Sequence, residues 1–238
     1  SSIEGMTEPR WAHTATLLDD GRILVAGGDS GHRVATAELY DPSTGKWSPT
    51  GSMEKERGDH RSILLGDGRV LAVGGADDST EIYDPSTGEW ASAGKLSRRA
   101  VKPGVATLLD SSVIVVGGRI PSTDPISVES RRSDELYDPI SGSWSLTGPI
   151  TDNDLLASRI GPSVMVLGDG TVLVLGGASG STMALLYDPI SGEWSTAGRL
   201  ADARREQTAT LLENGSVLVV GGDGRNNTTL ATVELFAP

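Results

Sequence analysis

Short apolar runs that end in a pair of glycines recur five times along the chain. Each run has four apolar residues, which is the length of a buried strand and too short for an ordinary helix. With the residue before them and their glycine pairs, the runs are 22–28, 69–75, 112–118, 171–177 and 216–222. Because they recur roughly every 45 to 60 residues, the pattern predicts one supersecondary unit that is copied five times.

Each unit predicts four short antiparallel strands. An alternating stretch such as 13–18 precedes a two-residue turn, which is Asp20-Gly21 in the first unit. Turns of this type connect the two strands of a hairpin. After a variable loop comes Ala37 to Trp47, where Asp41-Pro42 and Gly45 supply the turn of a second hairpin. Corresponding segments run from Thr80 to Trp90, Asp134 to Trp144 and Ala184 to Trp194.

The combination of Gly-Gly, Tyr-Asp-Pro and Trp at this period resembles the kelch repeat of the galactose-oxidase-like superfamily, with repeats of the bacterial type. The resemblance covers nearly the whole chain and implies an all-β, five-bladed kelch-type β-propeller with four-stranded antiparallel blades. It also implies that the first strand of each blade lines a central channel. Tyrosine and tryptophan are then expected to pack within and between blades.

The fifth unit ends at 233–238 without the tryptophan strand, and residues 1–6 match the end of such a strand. We therefore predict a single domain, 1–238, whose last blade is closed by the N-terminal strand, because pairing hides an open edge. The predicted blades cover about 7–52, 53–95, 96–149, 150–199, and 200–238 plus 1–6. Five blades of a truncated larger propeller are the alternative.

Composition narrows the function classes. The formal net charge of −12 disfavours nucleic acid as a partner. No apolar run approaches the roughly 18 residues of a membrane span. The chain has no cysteine, which excludes the cysteine–tyrosine chemistry that resemblance to copper-radical oxidases would otherwise suggest. We expect no catalytic residue, metal or cofactor, and favour a non-enzymatic role without settling it; for localisation, an exported protein is favoured over a cytoplasmic one.

Function is expected in the loops that break the repeat, because a rigid frame commonly presents its binding residues on loops. One set of loops follows each glycine pair and the other precedes each first strand. Both are expected on one face of the blades, which we call the loop face. Most of the basic residues lie in or beside these loops.

Arginine recurs eight residues before the end of each first-strand Leu-Leu or Val-Leu pair. It is found in blades one, two, four and five. In blade three the predicted residue at this position is Val101, and Arg98 and Arg99 lie just upstream. Resemblance to animal kelch adaptors implies that arginines at this place bind acidic peptides, since guanidinium matches carboxylate in bidentate geometry. The alternative is an internal ion pair with an aspartate of a neighbouring blade.

Trp11 is the one tryptophan outside the repeat position. It can offer an exposed stacking surface or be buried in the place of the tryptophan that blade five lacks. The candidate ligand-binding residues are Arg10, Trp11, Arg57, Asp59, Arg98, Arg99, Arg119, Arg159, Arg204 and Arg225. His13 and His60 share a repeat position, but we expect no metal there.

The sequence thus favours a non-catalytic binding module that recognises a protein or peptide on the loop face, with acidic peptides among the candidates. A carbohydrate-binding or sugar-processing propeller of an exported bacterial protein is one alternative. A minimal or engineered scaffold without a native ligand is the other.

Overall fold

The structure is a computed structural model that describes residues 4–119, 134–148, 150, 159–177 and 181–238. It is all-β: the described residues form nineteen strands and one short 3₁₀ helix, Arg225–Asn227. The chain divides into two compact units, Ser1–Val101 and Lys102–Pro238.

The first unit contains blades one and two. Blade one consists of β1 (Thr14–Leu17), β2 (Ile23–Ala26), β3 (Ala37–Asp41) and β4 (Lys46–Thr50). Blade two consists of β5 (Arg61–Leu64), β6 (Val70–Val73), β7 (Ser79–Asp84) and β8 (Glu89–Lys95). In both sheets the strands are antiparallel and lie side by side in chain order.

The second unit contains blades three, four and five. Blade three has β9 (Gly104–Thr107), β10 (Val113–Val116), β11 (Glu135–Asp138) and β12 (Ser143–Leu146). Blade four has β13 (Ser163–Val166), β14 (Val172–Leu175), β15 (Met183–Asp188) and β16 (Glu193–Arg199). Blade five has β17 (Thr208–Leu211), β18 (Val217–Val220) and β19 (Val233–Phe236). Its described sheet is three-stranded, in the order β17-β18-β19.

These blades confirm the predicted all-β, five-bladed kelch-type propeller fold. The predicted N-terminal closing strand rests on residues 1–3, which lie outside the described residues, so closure stays a prediction. Glu4 to Met6 are described and form no strand. The carbonyl of Glu4 accepts a hydrogen bond from Trp47 Nε1 at 3.0 Å, just as that of Gly51 accepts one from Trp90 Nε1 at 3.0 Å. Glu4 therefore makes the same contact with the tryptophan of blade one that Gly51, just after β4, makes with the tryptophan of blade two.

Neighbouring blades within each unit pack against each other through apolar faces. We call the face that contacts the next blade along the chain the trailing face, and the opposite one the leading face. In the first unit, Leu24, Ala26 and Leu39 of blade one form a core with Val70, Ala72 and Tyr83 of blade two. In the second unit, Leu173, Leu175 and Ala184 of blade four pack with Val217, Val219 and Phe236 of blade five. The near-continuous apolar β2-type strands are thus explained by burial on both faces.

The repeated tyrosine and tryptophan pack in the predicted way. Tyr83 and Trp90 are cross-strand neighbours on β7 and β8, with ring centroids 5.1 Å apart and planes inclined by 46°. The tilted geometry suits two aromatic quadrupoles. The same pair occurs as Tyr40–Trp47, Tyr137–Trp144 and Tyr187–Trp194.

Candidate functional site

The glycine pairs join the loops of neighbouring blades. The second glycine donates its N–H to a backbone carbonyl in the loop that precedes the next blade's first strand, as in Gly28 to the Arg57 carbonyl at 2.7 Å. Gly27 has φ of 63°, and a Cβ atom there would lie 2.6 Å from the Arg57 carbonyl oxygen. Only glycine combines this conformation with this approach. The sequence predicted the pairs as strand ends but not this contact.

The same contact corrects the register of blade three. Gly118 donates to the Arg159 carbonyl and Gly177 to that of Arg204, whereas Gly75 donates to Ala100. The residue at the arginine position of blade three is therefore Ala100, and the prediction of Val101 is wrong by one. The error arose because Leu108-Leu109 resembles the Leu-Leu pair of other blades, while Leu109 lies in the turn and is 79% exposed.

The four arginines at the repeated position are buried. Arg57 is 0% exposed and Arg204 is 1% exposed. Nη1 of Arg57 donates to the carbonyls of Gly74 and Ser79, each at 2.9 Å. Its Nη2 and Nε donate to Glu81 Oε1 at 2.9 and 3.2 Å. The guanidinium thus ties the glycine pair, the loop end and β7 together.

Arg10 and Arg204 repeat this arrangement. Arg10 donates to the carbonyls of Gly27 and Thr36 and to Glu38. Arg204 donates to the carbonyls of Gly221 and Thr232 and to Glu234. Burial raises the pKa of Glu38, but hydrogen bonds from Thr7, Glu8 and Arg10 outweigh burial and hold that pKa below its usual value.

Binding of acidic peptides by these arginines, which the resemblance implies, would require guanidinium groups that reach solvent, whereas the structure buries all four side chains. The alternative of an internal ion pair is what the structure shows for three of them, except that the partner is a glutamate of the arginine's own blade. Each guanidinium turns inward because carbonyl and carboxylate oxygens on the blade match its donors. A ligand would have to displace these oxygens to reach it.

Arg159 differs from the other three. At the register position of Glu81, opposite the third residue of the second strand, blade four has Leu185. Nη1 of Arg159 donates to the Gly176 carbonyl at 2.6 Å, but its buried Nε and Nη2 have no hydrogen-bond partner among the described residues. Burial lowers the pKa of Arg159 to about 10, although the charge of Asp134 acts in the opposite direction.

Trp11 is exposed, so of its two predicted environments burial in the place of a missing tryptophan is wrong. The side chain is 64% exposed. Its backbone is fixed, since Trp11 N donates to the Asp29 carbonyl at 3.0 Å and Asp29 N donates to that of Trp11 at 2.8 Å. A large aromatic side chain therefore stands in solvent on a rigid backbone.

Arginine side chains from two other loops lie in the same unit. Arg33 forms an isolated antiparallel β-bridge with Asp29. Its side chain donates a hydrogen bond to the Gly75 carbonyl. The exposed Arg99 donates through Nε to the Ala76 carbonyl at 2.9 Å. Arg98 is half-buried beside it. Sequence reasoning missed Arg33, because it occupies no repeated position.

Asp59 is half-buried, has φ of 59° and donates its N–H to the Ala12 carbonyl at 3.0 Å. In the second unit, Arg119 and Arg225 are exposed, and residues 120–133, which follow Arg119, lie outside the described residues. Lys102 there forms an ion pair with both oxygens of Glu206 at 2.8 Å.

His60 is buried and pairs with β1. Its Nε2 lies 3.1 Å from Thr14 Oγ1, and burial, with the positive charges of Arg57 and Arg61, lowers its pKa to about 3. The described residues contain no cluster of three or more His, Asp or Glu side chains suited to a metal ion. Within them there is also no helix of the length and apolarity needed to span a membrane.

Comparison with known proteins gives a motif in blade one and a fold. The kelch motif matches residues 10–54, which contain all four strands of blade one. A solved structure titled "Structure of YjhT" superposes with a TM-score of 0.73 at 16% identity, over 96% of this chain and 82% of that one. No curated protein matches the sequence. The chain therefore has a five-bladed β-propeller fold, with a kelch motif in blade one and with the glycine pairs, tyrosines and tryptophans of that blade recurring along the sequence.

Proposed function

We propose that the protein is a non-catalytic binding module that recognises a protein or peptide through exposed loop side chains of its first unit. The observation that carries the proposal is Trp11, which is 64% exposed on a backbone fixed by two hydrogen bonds to Asp29. Tryptophan is the residue most enriched among those that dominate protein interfaces. Its rigidity reduces the entropy that is lost on binding.

The fold itself does not need tryptophan at this position. The residue that follows the repeated arginine is Gly58 in blade two and Arg205 in blade five. Arg205 forms the same backbone bridge, to Asp223. Arginine and tryptophan thus share a backbone role but no side-chain role, so the exposed indole of Trp11 is free for a ligand.

The neighbouring charges favour a peptide that carries carboxylates beside an apolar anchor. Arg33 lies next to Asp29, and Arg99 is exposed. Each uses part of its guanidinium on one backbone carbonyl. Since a guanidinium has five N–H donors, both retain donors for a ligand. The buried arginines Arg10, Arg57 and Arg204 are not part of this site.

A peptide library displayed on phage and selected on the immobilised protein tests the proposal. The affinity of an enriched peptide is then measured by fluorescence polarisation. Trp11→Ala is expected to weaken it at least tenfold, equivalent to about 1.4 kcal/mol. The matched control is Ile190→Ala, which truncates a side chain that is 96% exposed in a turn of blade four. Enriched peptides that bind Trp11→Ala as tightly as the wild type contradict the proposal.

Carbohydrate binding is the second candidate, because an indole beside a carboxylate, here Trp11 and Asp29, can stack on a sugar and accept its hydroxyl groups. A glycan array probed with the wild type, Trp11→Ala and Ile190→Ala separates the two. A glycan signal that needs Trp11, without any enriched peptide, assigns the site to carbohydrate. A protein that enriches neither behaves as a scaffold without ligand.

A further inference from the structure

The turn that joins β17 to β18 in blade five contains Asn214-Gly215, a dipeptide that occurs once in the chain. Both residues are exposed. Gly215 has φ of 83°, a conformation that glycine adopts without strain. Among the described residues, no atom lies within 4 Å of the place where a Cβ of Gly215 would be. The side-chain amide of Asn214, a chemically labile group in proteins, therefore has an unshielded backbone nitrogen beside it.

The equivalent turns of the other blades carry aspartate at this position, and a shared hydrogen bond identifies it. Asn214 Oδ1 accepts the Ser216 N–H at 3.0 Å, and in blade four Asp169 Oδ1 accepts the Thr171 N–H at 3.0 Å. Blades one, two and three have the same hydrogen bond to an aspartate, which is Asp20, Asp67 or Asp110. The fold thus accommodates aspartate in this turn, and blade five alone presents an amide there.

The turn also brings together the groups that can react. Only Cβ, Cα and the backbone carbonyl carbon separate Cγ of Asn214 from N of Gly215, so a bond between the two atoms closes a succinimide ring. The hydrogen bond that Ser216 N–H donates to Oδ1 strengthens as negative charge develops on that oxygen. Gly215 N–H donates to the Leu212 carbonyl at 2.9 Å, so this bond must open before the nitrogen can lose its proton.

We propose that Asn214 is a site of covalent modification by deamidation, with water as the co-reactant. Hydroxide removes the proton from Gly215 N, which attacks Cγ of Asn214. The C–N bond of the side-chain amide then breaks, and ammonia leaves with a proton taken from water. Water hydrolyses the succinimide at either carbonyl: opening at Cγ gives aspartate, and opening at the backbone carbonyl gives isoaspartate. Each product adds one carboxylate to the turn.

The two products have different consequences for blade five. Aspartate keeps the length of the backbone and can accept the Ser216 N–H as Asp169 accepts that of Thr171. Isoaspartate carries the chain through its side chain, which adds a methylene group to the turn. The pairing of Leu211 with Val217, next to the turn, is then disturbed. Aspartate is expected to leave the melting temperature unchanged, whereas isoaspartate is expected to lower it.

Peptide mapping by mass spectrometry tests the proposal on the folded protein. Samples are incubated at neutral and mildly alkaline pH and digested at acidic pH, so that digestion adds no conversion. Enzymatic methylation of isoaspartyl carboxyl groups distinguishes the two products. Conversion of Asn214 is expected to accelerate about tenfold for each pH unit, because hydroxide generates the nucleophile. Asn226 and Asn227, which precede residues larger than glycine, are expected to convert more slowly.

Asn214→Gln is the matched control, since it keeps an exposed side-chain amide but would have to close a larger ring, and position 214 is expected to remain unmodified. Asn214→Asp reproduces one product and is expected to melt at the temperature of the wild type. The proposal is overturned by a wild type in which Asn214 stays intact at alkaline pH. Conversion of Asn226 or Asn227 ahead of Asn214, or equal conversion of Asn214→Gln at position 214, contradicts it as well.

Discussion

Arg57 and Glu81 form an ion pair inside blade two, with 2.9 Å between Nη2 and Oε1 and side chains that are 0% and 4% exposed. Arg159 occupies the same repeat position in blade four, where Leu185 replaces the glutamate. One position thus holds a paired charge in one blade and a partly satisfied charge in another.

This difference predicts opposite responses to the same substitution. Arg57→Leu leaves the carboxylate of Glu81 buried without its cation and is expected to cost about 3 to 5 kcal/mol of unfolding free energy. Arg159→Leu removes a charge whose Nε and Nη2 have no acceptor in the part of the chain that the structure describes. Its effect is expected to lie within about 1 kcal/mol and can be stabilising. Urea denaturation of both variants measures the contrast.

The double variant Arg57→Leu/Glu81→Leu is the control, because it removes both charges and should recover part of the loss. Equal destabilisation by the two single substitutions contradicts the argument. Reversing Arg57 to glutamate places two carboxylates together inside the blade, so Arg57→Glu is expected to unfold the protein and cannot serve as a test of ligand binding.

His60 predicts a loss of stability in mild acid. Its pKa falls from 6.5 to about 3 in the folded protein, so the unfolded chain binds a proton that native His60 does not. Stability then decreases as the pH falls through 6.5 towards 3, by about 2 kcal/mol between pH 7 and pH 5 for one such group. Chemical denaturation at these two pH values measures the change.

His60→Gln provides the comparison, since Gln207 holds the corresponding position in blade five and donates to the Leu175 carbonyl at 2.8 Å. The variant is expected to lose less stability than the wild type over this interval. His13 and His32 remain in both proteins and cancel. A pH dependence identical to that of the wild type would show that His60 is protonated in the folded state.

Repetition explains how much of this protein the sequence predicts. The hairpins, the glycine pairs and the Tyr83–Trp90 packing each occur several times, so an accidental pattern in one blade is outweighed by the others. The predicted repeat alignment of blade three is wrong by one residue, because Leu109 follows Leu108 in the sequence as in the Leu-Leu pairs of other blades but lies exposed in a turn.

The spacing of the arginines could not predict whether their side chains are buried or exposed. Whether Arg57 points to solvent or inward depends on Glu81, which lies in another strand 24 residues away. A signal was present in retrospect: the glutamate two residues before the repeated aromatic accompanies arginine in blades one, two and five. For Trp11, the sequence is compatible with both a buried and an exposed side chain. Its exposure follows from the position of its loop, which only the structure shows.

Tryptophan substitutions separate scaffold from surface. Trp90 stacks on Tyr83 and donates Nε1 to the Gly51 carbonyl at 3.0 Å. Trp90→Ala is therefore expected to cost about 3 to 5 kcal/mol. Trp11→Ala should change stability by no more than about 0.5 kcal/mol, as for other exposed positions. Thermal denaturation of both compares them directly, and a cost below about 1 kcal/mol for Trp90→Ala would place that side chain at the surface.

Deletion of residues 1–5 tests the role of the N-terminal segment. If this segment supplies the outer strand of blade five, its removal exposes an edge and stability should fall by more than the roughly 0.5 kcal/mol of a neutral surface change. The deletion also removes the Glu4 carbonyl, which accepts from Trp47 Nε1.

Two further variants separate these causes. Deleting residues 1–3 alone keeps Glu4, and Trp47→Phe removes the indole N–H while residues 1–5 remain. Closure predicts that deleting residues 1–3 accounts for most of the loss, because those residues would form the strand. If that deletion leaves the melting temperature unchanged while Trp47→Phe and deletion of residues 1–5 lower it equally, the segment acts only by capping Trp47 and the closure prediction is wrong.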